Sequence, residues 1–404
     1  MSPRYHDSED SDIGSQVSAL EISETQRSPA WCRRGPLRFC GSFSIRPSSL
    51  SPERRERRKA LYRQLLIAFG ILFTLGLIAI IIYLSIVAAL LHHLSPPEIK
   101  SGLQNIVDNW QEPDTNGAYK YRWRDDFSRD IVPKHCHSHN DYWRRVPLYQ
   151  ALANGCIGVE ADVWLTEDQE LLVSHAWRAT KKERTLRSLY LDPLSYIFED
   201  RNVSQASAGD REVGLFDADP NASVILLIDF KNDGHQIWPV VLSQLQSFRD
   251  RNWLTYFNGT QLIKGPLTIV GTGNTPFELV QANNTNRFIF FDAPLDVIDD
   301  VKYTSENSYY ASVNMKQALG RFRLHKIKPS QVEVIQKQVK AASDKGLVSR
   351  YWDTPKWPIS FRDKVWFTLT ENDVGMLNVD DIISATRWNW NMCIVAGIRL
   401  CGNS

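Results

Sequence analysis

The feature that most restricts this chain is a stretch of 27 residues, Leu65 to Leu91, without one charged side chain. Inside a bilayer every backbone N–H and C=O has to be satisfied within the segment, so a run of this kind has to be a helix. At 1.5 Å per residue it reaches roughly 40 Å, against about 30 Å of hydrocarbon. A cleaved leader has a shorter apolar core close to the first residue, and this run is too long and starts too late for one. Arg54, Arg55, Arg57, Arg58, Lys59 and Arg63 stand directly before it. Positive charge of this kind stays on the cytoplasmic side. The expected topology is single-pass type II, with the chain after residue 93 lumenal or extracellular. Tyr83 and Ser85 inside the run read as helix-packing groups.

The span divides the 404 residues unequally. Residues 1–60, rich in Ser, Pro and charge, are expected to be a disordered basic cytosolic tail. Residues 95–129 read as a polar stalk headed by Pro96-Pro97, with one helix between Ile99 and Trp110. Residues 130–404 remain for a single catalytic domain. Lys plus Arg number 47 and Asp plus Glu 46, so there is no surplus of positive charge for a nucleic-acid partner. Four cysteines follow the span, Cys136, Cys156, Cys393 and Cys401. Of the three ways to pair them we favour Cys136 with Cys156 and Cys393 with Cys401, the alternative for Cys136 and Cys156 being free buried thiols. The sequons at Asn202, Asn221, Asn258 and Asn283 all follow the span as well, though chance alone supplies nearly as many in so Asn-rich a region.

Strand-like apolar runs recur through the domain: Ile131 to Cys136, Ile157 to Val163, Val224 to Phe230, Leu267 to Val270, Phe288 to Phe291, Tyr309 to Val313, Leu347 to Trp352 and Met376 to Val379. Helix-length segments separate them, and Val332 to Ala342 and Phe361 to Leu369 carry apolar residues at helical spacing. Eight such units predict an α/β fold, a (β/α)8 TIM-type barrel preceded by the single transmembrane helix. The Trp177–Asn221 segment exceeds a minimal barrel. Its Arg178, Lys181, Lys182, Arg184 and Arg187 suit either an anionic headgroup or a solvated face.

The chemistry gathers between residues 135 and 175. Three of the nine histidines, His135, His137 and His139, fall within five residues. In the strand that follows, Glu160 and Asp162 share a face, because side chains alternate. Two carboxylates so close repel unless a cation lies between them, and an all-oxygen set suits one divalent cation, Mg2+ or Ca2+. Asp229, ending a buried run, completes three metal ligands, and Lys231, two residues on, is placed to hold a phosphate oxygen. His139 and His175 flank the carboxylate pair in sequence and suit the two proton transfers of phosphodiester cleavage. Trp352, at the end of the seventh run, is taken as a substrate contact. His135 and His137 read as supports for the first strand. Asp380 and Asp381 face opposite ways as neighbours in a strand and read as caps of the next helix.

These residues resemble those of the phospholipase C-like phosphodiesterase superfamily, and most closely the fungal altered inheritance of mitochondria protein 6 group. The likeness is carried by Ser138-His-Asn-Asp-Tyr142, Pro147-Leu148 with Ala151-Leu152, Glu160-Ala-Asp-Val163, Ile228-Asp-Phe-Lys231, Arg350-Tyr-Trp-Asp-Thr-Pro355 and Leu377-Asn-Val-Asp-Asp381, in consistent order from about residue 130 to 390. The resemblance implies that His139 and His175 are the acid/base pair, that Glu160, Asp162 and Asp229 hold the metal, and that a phospholipid or other phosphodiester is the substrate. Glycerophosphodiester phosphodiesterases carry His-Arg-Gly and Pro-Glu-Asn where this chain has His139-Asn-Asp and Val146-Pro-Leu, so the chemistry carries over better than that substrate. Two other readings stand beside it. One is a zinc-dependent amidohydrolase-like barrel, in which His135-x-His137 would begin a transition-metal site. The other is a catalytically inactive lipid-binding barrel. Whether water or a hydroxyl of the substrate attacks phosphorus is open at this point.

Overall fold

The computed structural model describes residues 51–94, 101–122, 125–206, 209–387, 394–395 and 398–399. They fall into two compact units that divide between Ser85 and Ile86. Helix α1 (Pro52–Leu94), most of it in the first unit, runs unbroken through the apolar stretch. It is the one helix among the described residues long and apolar enough to cross a membrane, and none of that apolar stretch is buried. It starts at Pro52, so residues 52–60, expected as part of an irregular tail, are helical.

The second unit is a closed barrel of eight parallel strands. They are β1 (Lys134–Ser138), β2 (Cys156–Leu165), β4 (Val224–Phe230), β7 (Leu267–Gly273), β8 (Ile289–Pro294), β9 (Ser308–Asn314), β10 (Val348–Trp352) and β11 (Met376–Val379). Each pairs in parallel with the next, and β1 pairs with both β2 and β11, which closes the ring. Each of the eight apolar runs contains or overlaps one of these strands. Runs such as Val224 to Ile228, each 1% exposed or less, are apolar on both faces because one face fills the barrel and the other meets the outer layer. Two additions leave this scheme. Strand β3 (Leu171–Val173) folds back antiparallel on β2, and β5 (Tyr256–Phe257) with β6 (Leu262–Ile263) makes a small hairpin.

The outer layer is uneven. Helices α4 (Asp192–Asp200), α5 (Gly234–Asp250), α6 (Phe277–Ala282), α8 (Pro329–Asp344) and α9 (Ile359–Glu371) connect successive strands, α7 (Met315–Leu319) precedes α8, and α10 (Ile382–Arg387) follows β11. α8 buries Ile335, Val339 and Ala342, spaced along one helical face. Between β1 and β2 stands only the short α3 (Tyr149–Ala153), and between β8 and β9 only a 3-10 turn, Leu295–Val297. Much of the long segment after Trp177 serves as the β2–β4 crossover: Leu194, Ile197 and Phe198 of α4 are fully buried.

The expected stalk is corrected in part. From Ser101 onward it packs on the barrel: α2 (Gly102–Asp108) buries Leu103, Ile106 and Val107, and Phe127 is 1% exposed. Arg145 donates to the Val107 carbonyl at 3.0 Å, which ties this segment to the loop after β1. An i, i+3, i+4 apolar set of only three residues is a weak signal beside Pro-rich and charged neighbours, which is why it read as polar. Cys136 and Cys156 form a disulfide joining β1 to the start of β2. The pairing of Cys393 with Cys401 lies outside the described residues.

Candidate active site

The barrel's C-terminal mouth collects the acidic groups. On β2 the alternation holds, and Glu160 and Asp162 are both buried, at 7% and 1% exposure. β4 lies beside β2 with Asp229 in register with Asp162. Ligand oxygens of Glu160, Asp162 and Asp229 all lie within 4.8 Å of one another. Two glycines make room for this. A Cβ on Gly158 would stand 2.6 Å from the His137 ring, and Gly273, at φ +65°, would otherwise drive a side chain into the Asp229 carboxylate.

Asp162 shows the asymmetry of the site. Its Oδ2 accepts from the Tyr142 hydroxyl at 2.7 Å and from Lys231 Nζ at 3.0 Å, and lies 3.2 Å from His175 Nδ1. Its Oδ1 is buried with no hydrogen-bond partner. A buried carboxylate oxygen in that state is costly unless something positive meets it. Three hard oxygen donors, one of them orphaned, fit a divalent cation of the Mg2+ or Ca2+ kind.

The electrostatics follow from burial and from this crowding. Burial pushes the Asp229 carboxyl up to about 6, with the negative charge of Asp162 adding to it and Lys231 opposing. Burial pushes Glu160 up too, but the positive charge of His139 and of Arg350 outweighs it and holds this carboxyl below its ordinary range. Lys231 loses by burial and gains more from Asp229 and Asp162, so it stays firmly charged. Its Nζ sits 2.8 Å from Asp229 Oδ2, inside the carboxylate group itself.

The two histidines stand at the edge of this cluster. His139 Nδ1 is 2.8 Å from Asp380 Oδ1, while its Nε2 lies 4.0 Å from Glu160 Oε2. Glu160 and Asp380 together raise the affinity of that ring for a proton against the cost of burial. His175 lies over Asp162, its side chain 49% exposed, with the ring of Trp143 centred 5.1 Å away. His137 is fully buried below them against Tyr310, and burial lowers its imidazole to about 4. His135 is exposed near the start of β1, so the His-x-His pair does not converge. Trp352 ends β10, half-buried, and among the described residues it shows no hydrogen bond or ring contact with the cluster.

Residues 125–292 match the AIM6-like phosphodiesterase domain. The altered inheritance of mitochondria protein 6 homolog of Arthroderma benhamiae is 41% identical over 294 residues, which span 70% of this chain and 91% of that protein. The chain belongs to the altered inheritance of mitochondria protein 6 family. The member from Eremothecium gossypii is 34% identical over 279 residues, 65% of this chain and 71% of that protein. Among solved structures, a glycerophosphodiester phosphodiesterase from Thermotoga maritima is 17% identical, covering 64% of this chain and 97% of its own, at a TM-score of 0.33. The strand pairings above, and not that likeness, establish the barrel. The domain is thus a phosphodiesterase-type barrel of this family.

Of the seven residues singled out from sequence, His139, Glu160, Asp162, His175, Asp229 and Lys231 come together. Three further residues enter the site unannounced. Tyr142, 3% exposed, reaches Asn140 Oδ1 at 2.6 Å, Asp162 at 2.7 Å and His175 Nδ1 at 3.3 Å, so it braces three of the mouth's groups. Its place in the Ser138-to-Tyr142 motif was the available signal. Asp380 departs from the capping role expected of it: Asp381 accepts from the Ser384 N–H at the start of α10, while Asp380 holds His139. Arg350 lies buried in the barrel, bonded to Ser312, Asn378 and Asp292, and its charge reaches Glu160.

Proposed function

We propose that this family member is a membrane-anchored phosphoric diester hydrolase that needs one divalent cation and acts on a phospholipid, a lysophospholipid or a glycerophosphodiester. The observation that carries the reading is the pair of histidines set at the rim of a three-carboxylate cluster with an orphaned buried oxygen. Glu160, Asp162 and Asp229 would hold the cation, which would supply Lewis-acid polarisation of a phosphoryl oxygen. Asp380 accepts a hydrogen bond from Nδ1–H of His139, which leaves Nε2 as the nitrogen turned toward the reacting group. His139 and His175 divide the proton work, one accepting from the attacking hydroxyl or water and the other donating to the leaving oxygen. Lys231, already drawn among the carboxylates, adds fixed positive charge beside the phosphate.

The anchor is α1, with the basic block before it on the cytosolic side and the barrel lumenal or extracellular. The Cys136–Cys156 disulfide supports an oxidising surrounding for the barrel. Asn202, Asn221 and Asn283 are exposed, and an endoglycosidase-sensitive mobility shift of the expressed chain tests this topology.

The chemistry is tested on the full chain in detergent, with glycerophosphodiesters, lysophospholipids and sphingomyelin as substrates, in Mg2+, Ca2+, Zn2+ or chelator, beside His139→Ala and Glu160→Ala. Turnover that requires Mg2+ or Ca2+ and is lost in both variants supports the proposal. Zinc-dependent turnover surviving Glu160→Ala sinks it, and metal binding without turnover on any phosphodiester points to a binding protein.

A further inference from the structure

Three tryptophans of the barrel unit are exposed among the described residues: Trp143 at 61%, Trp177 at 50% and Trp357 at 76%. All three lie in connections on one side of the barrel. Trp143 closes the 3-10 turn directly after β1. Trp177 opens the turn after β3, its ring 6.0 Å from that of Trp164 near the end of β2. Trp357 lies between the end of β10 and the start of α9. Trp143 and Trp357 follow the C-terminal ends of parallel barrel strands, and Trp177, though β3 runs antiparallel, lies two residues after His175 and against Trp164, so all three stand at the end where the carboxylates and histidines gather. The other described tryptophans are buried or half-buried.

An indole gains little by standing in bulk water, and three of them around one mouth is an arrangement that water alone does not favour. Tryptophan does belong at the headgroup level of a bilayer, where an apolar ring with one polar edge meets a half-wet environment. Lysines stand beside two of these rings. Lys181 and Lys182 are exposed just after Trp177, with the half-buried Glu183 following them, and Lys356, which immediately precedes Trp357, is 64% exposed and pairs with Asp380 at 3.4 Å. A long lysine stem extends along apolar surface and sets its ammonium among anionic headgroups. The chain also carries an apolar helix of membrane-spanning length, so a bilayer is a surface it meets.

We infer that the rim of the barrel mouth is an interfacial docking surface for an anionic phospholipid bilayer, with Trp143, Trp177 and Trp357 entering the headgroup layer and Lys181 and Lys182 meeting its negative charge. Docking in this way would bring the mouth to the level of lipid phosphates. The inference concerns where the mouth sits, and stands or falls independently of whether the barrel turns over a phosphodiester.

The test uses the full chain reconstituted in nanodiscs made with brominated phosphatidylcholine, with or without phosphatidylserine. Helix α1 contains no tryptophan, so bromine quenching of tryptophan emission is not dominated by the anchor. The three rim residues are among thirteen tryptophans, so docking quenches up to about a quarter of the emission. That share is expected in discs containing phosphatidylserine, and is expected to vanish in Trp143→Ser/Trp177→Ser/Trp357→Ser. Lys181→Glu/Lys182→Glu, which leaves every ring in place, is expected to bring quenching down to the level of discs without phosphatidylserine. Unchanged quenching in the tryptophan variant, with an unchanged melting temperature, would overturn the inference. Equal quenching in discs with and without phosphatidylserine would overturn its electrostatic half.

Discussion

Replacing Asp229 by Asn is expected to stabilise the metal-free protein, which runs against the usual outcome of removing a partner from an ion pair. Asp229 is 2.8 Å from the Lys231 ammonium, an attraction of about 6 kcal/mol at an effective dielectric constant of 20. It also shares a space of 4.8 Å with Glu160 and Asp162, each repelling it by about 3.5 kcal/mol on the same scale. The two repulsions offset most of the attraction, and burial, the largest influence on this carboxyl, outweighs what remains of it. The carboxyl is pushed up to about 6, some two units above its ordinary value, which corresponds to about 3 kcal/mol. The expected gain for Asp229→Asn is therefore up to about 3 kcal/mol above pH 7, a rise of a few degrees in melting temperature. The sign with pH follows from the raised carboxyl. In the unfolded chain it ionises near pH 4, so the penalty on the folded state is absent below that, grows between 4 and 6, and is complete above 6. Melts of the full chain in micelles with chelator, at pH 7.5, 6 and 5, are expected to show the gap between variant and parent closing as pH falls. Adding Mg2+ or Ca2+ reverses the order, since an ion at a hundred times its dissociation constant stabilises the parent by about 2.7 kcal/mol and the variant by much less. A variant that melts below the parent in chelator at pH 7.5 would refute the reasoning, for it would mean that the lysine pair outweighs the crowding and the cluster is not poised for a cation.

Three further outcomes are expected. Tyr142→Phe removes one hydroxyl shared by Asn140, Asp162 and His175; a hydrogen bond to a charged group contributes about 1.5–3 kcal/mol, so the melting temperature is expected to fall by several degrees, and phosphodiester turnover, measured below the melt, by about tenfold to a hundredfold. Arg350→Met strands Asp292 in the barrel interior, where both partners are 4% exposed, and is expected to cost about 3–5 kcal/mol in chemical denaturation; Arg350→Met with Asp292→Leu recovers most of it, and failure to recover would mean that Arg350 acts mainly through Ser312 and Asn378. Cys156→Ser opens a disulfide that closes a separation of 20 residues, with an expected loss of about 3 kcal/mol that reducing agent reproduces in the parent but not in the variant.

The barrel was legible because its strands are buried on both faces. A run such as Val224 to Ile228 can be little else, and eight of them in order leave few folds. The carboxylates were legible for a local reason also, since the two-residue period puts Glu160 and Asp162 on one face wherever the strand lies. The contact between His139 and Asp380 was not, because 241 residues separate the two and the closure of the barrel alone brings them together. Tyr142 was visible as a motif member without a role, because its role depends on β2 lying alongside β1. The segment from Ser101 to Arg129 was misread for the opposite reason: its polar composition is real, but Leu103, Ile106, Val107 and Phe127 are enough to pin it down.

The ring closes where β1 meets β11, and the His139–Asp380 contact straddles that seam. A chain synthesised from its first residue delivers the histidine early and the aspartate last. Through most of its manufacture the domain therefore has seven of its eight staves and a first histidine without its carboxylate. A product cut short before residue 380 is expected to be mute, not merely slow, whatever else of it has folded. The two ends of the domain act as the halves of a clasp, so that completion of the polypeptide and competence of its mouth arrive together.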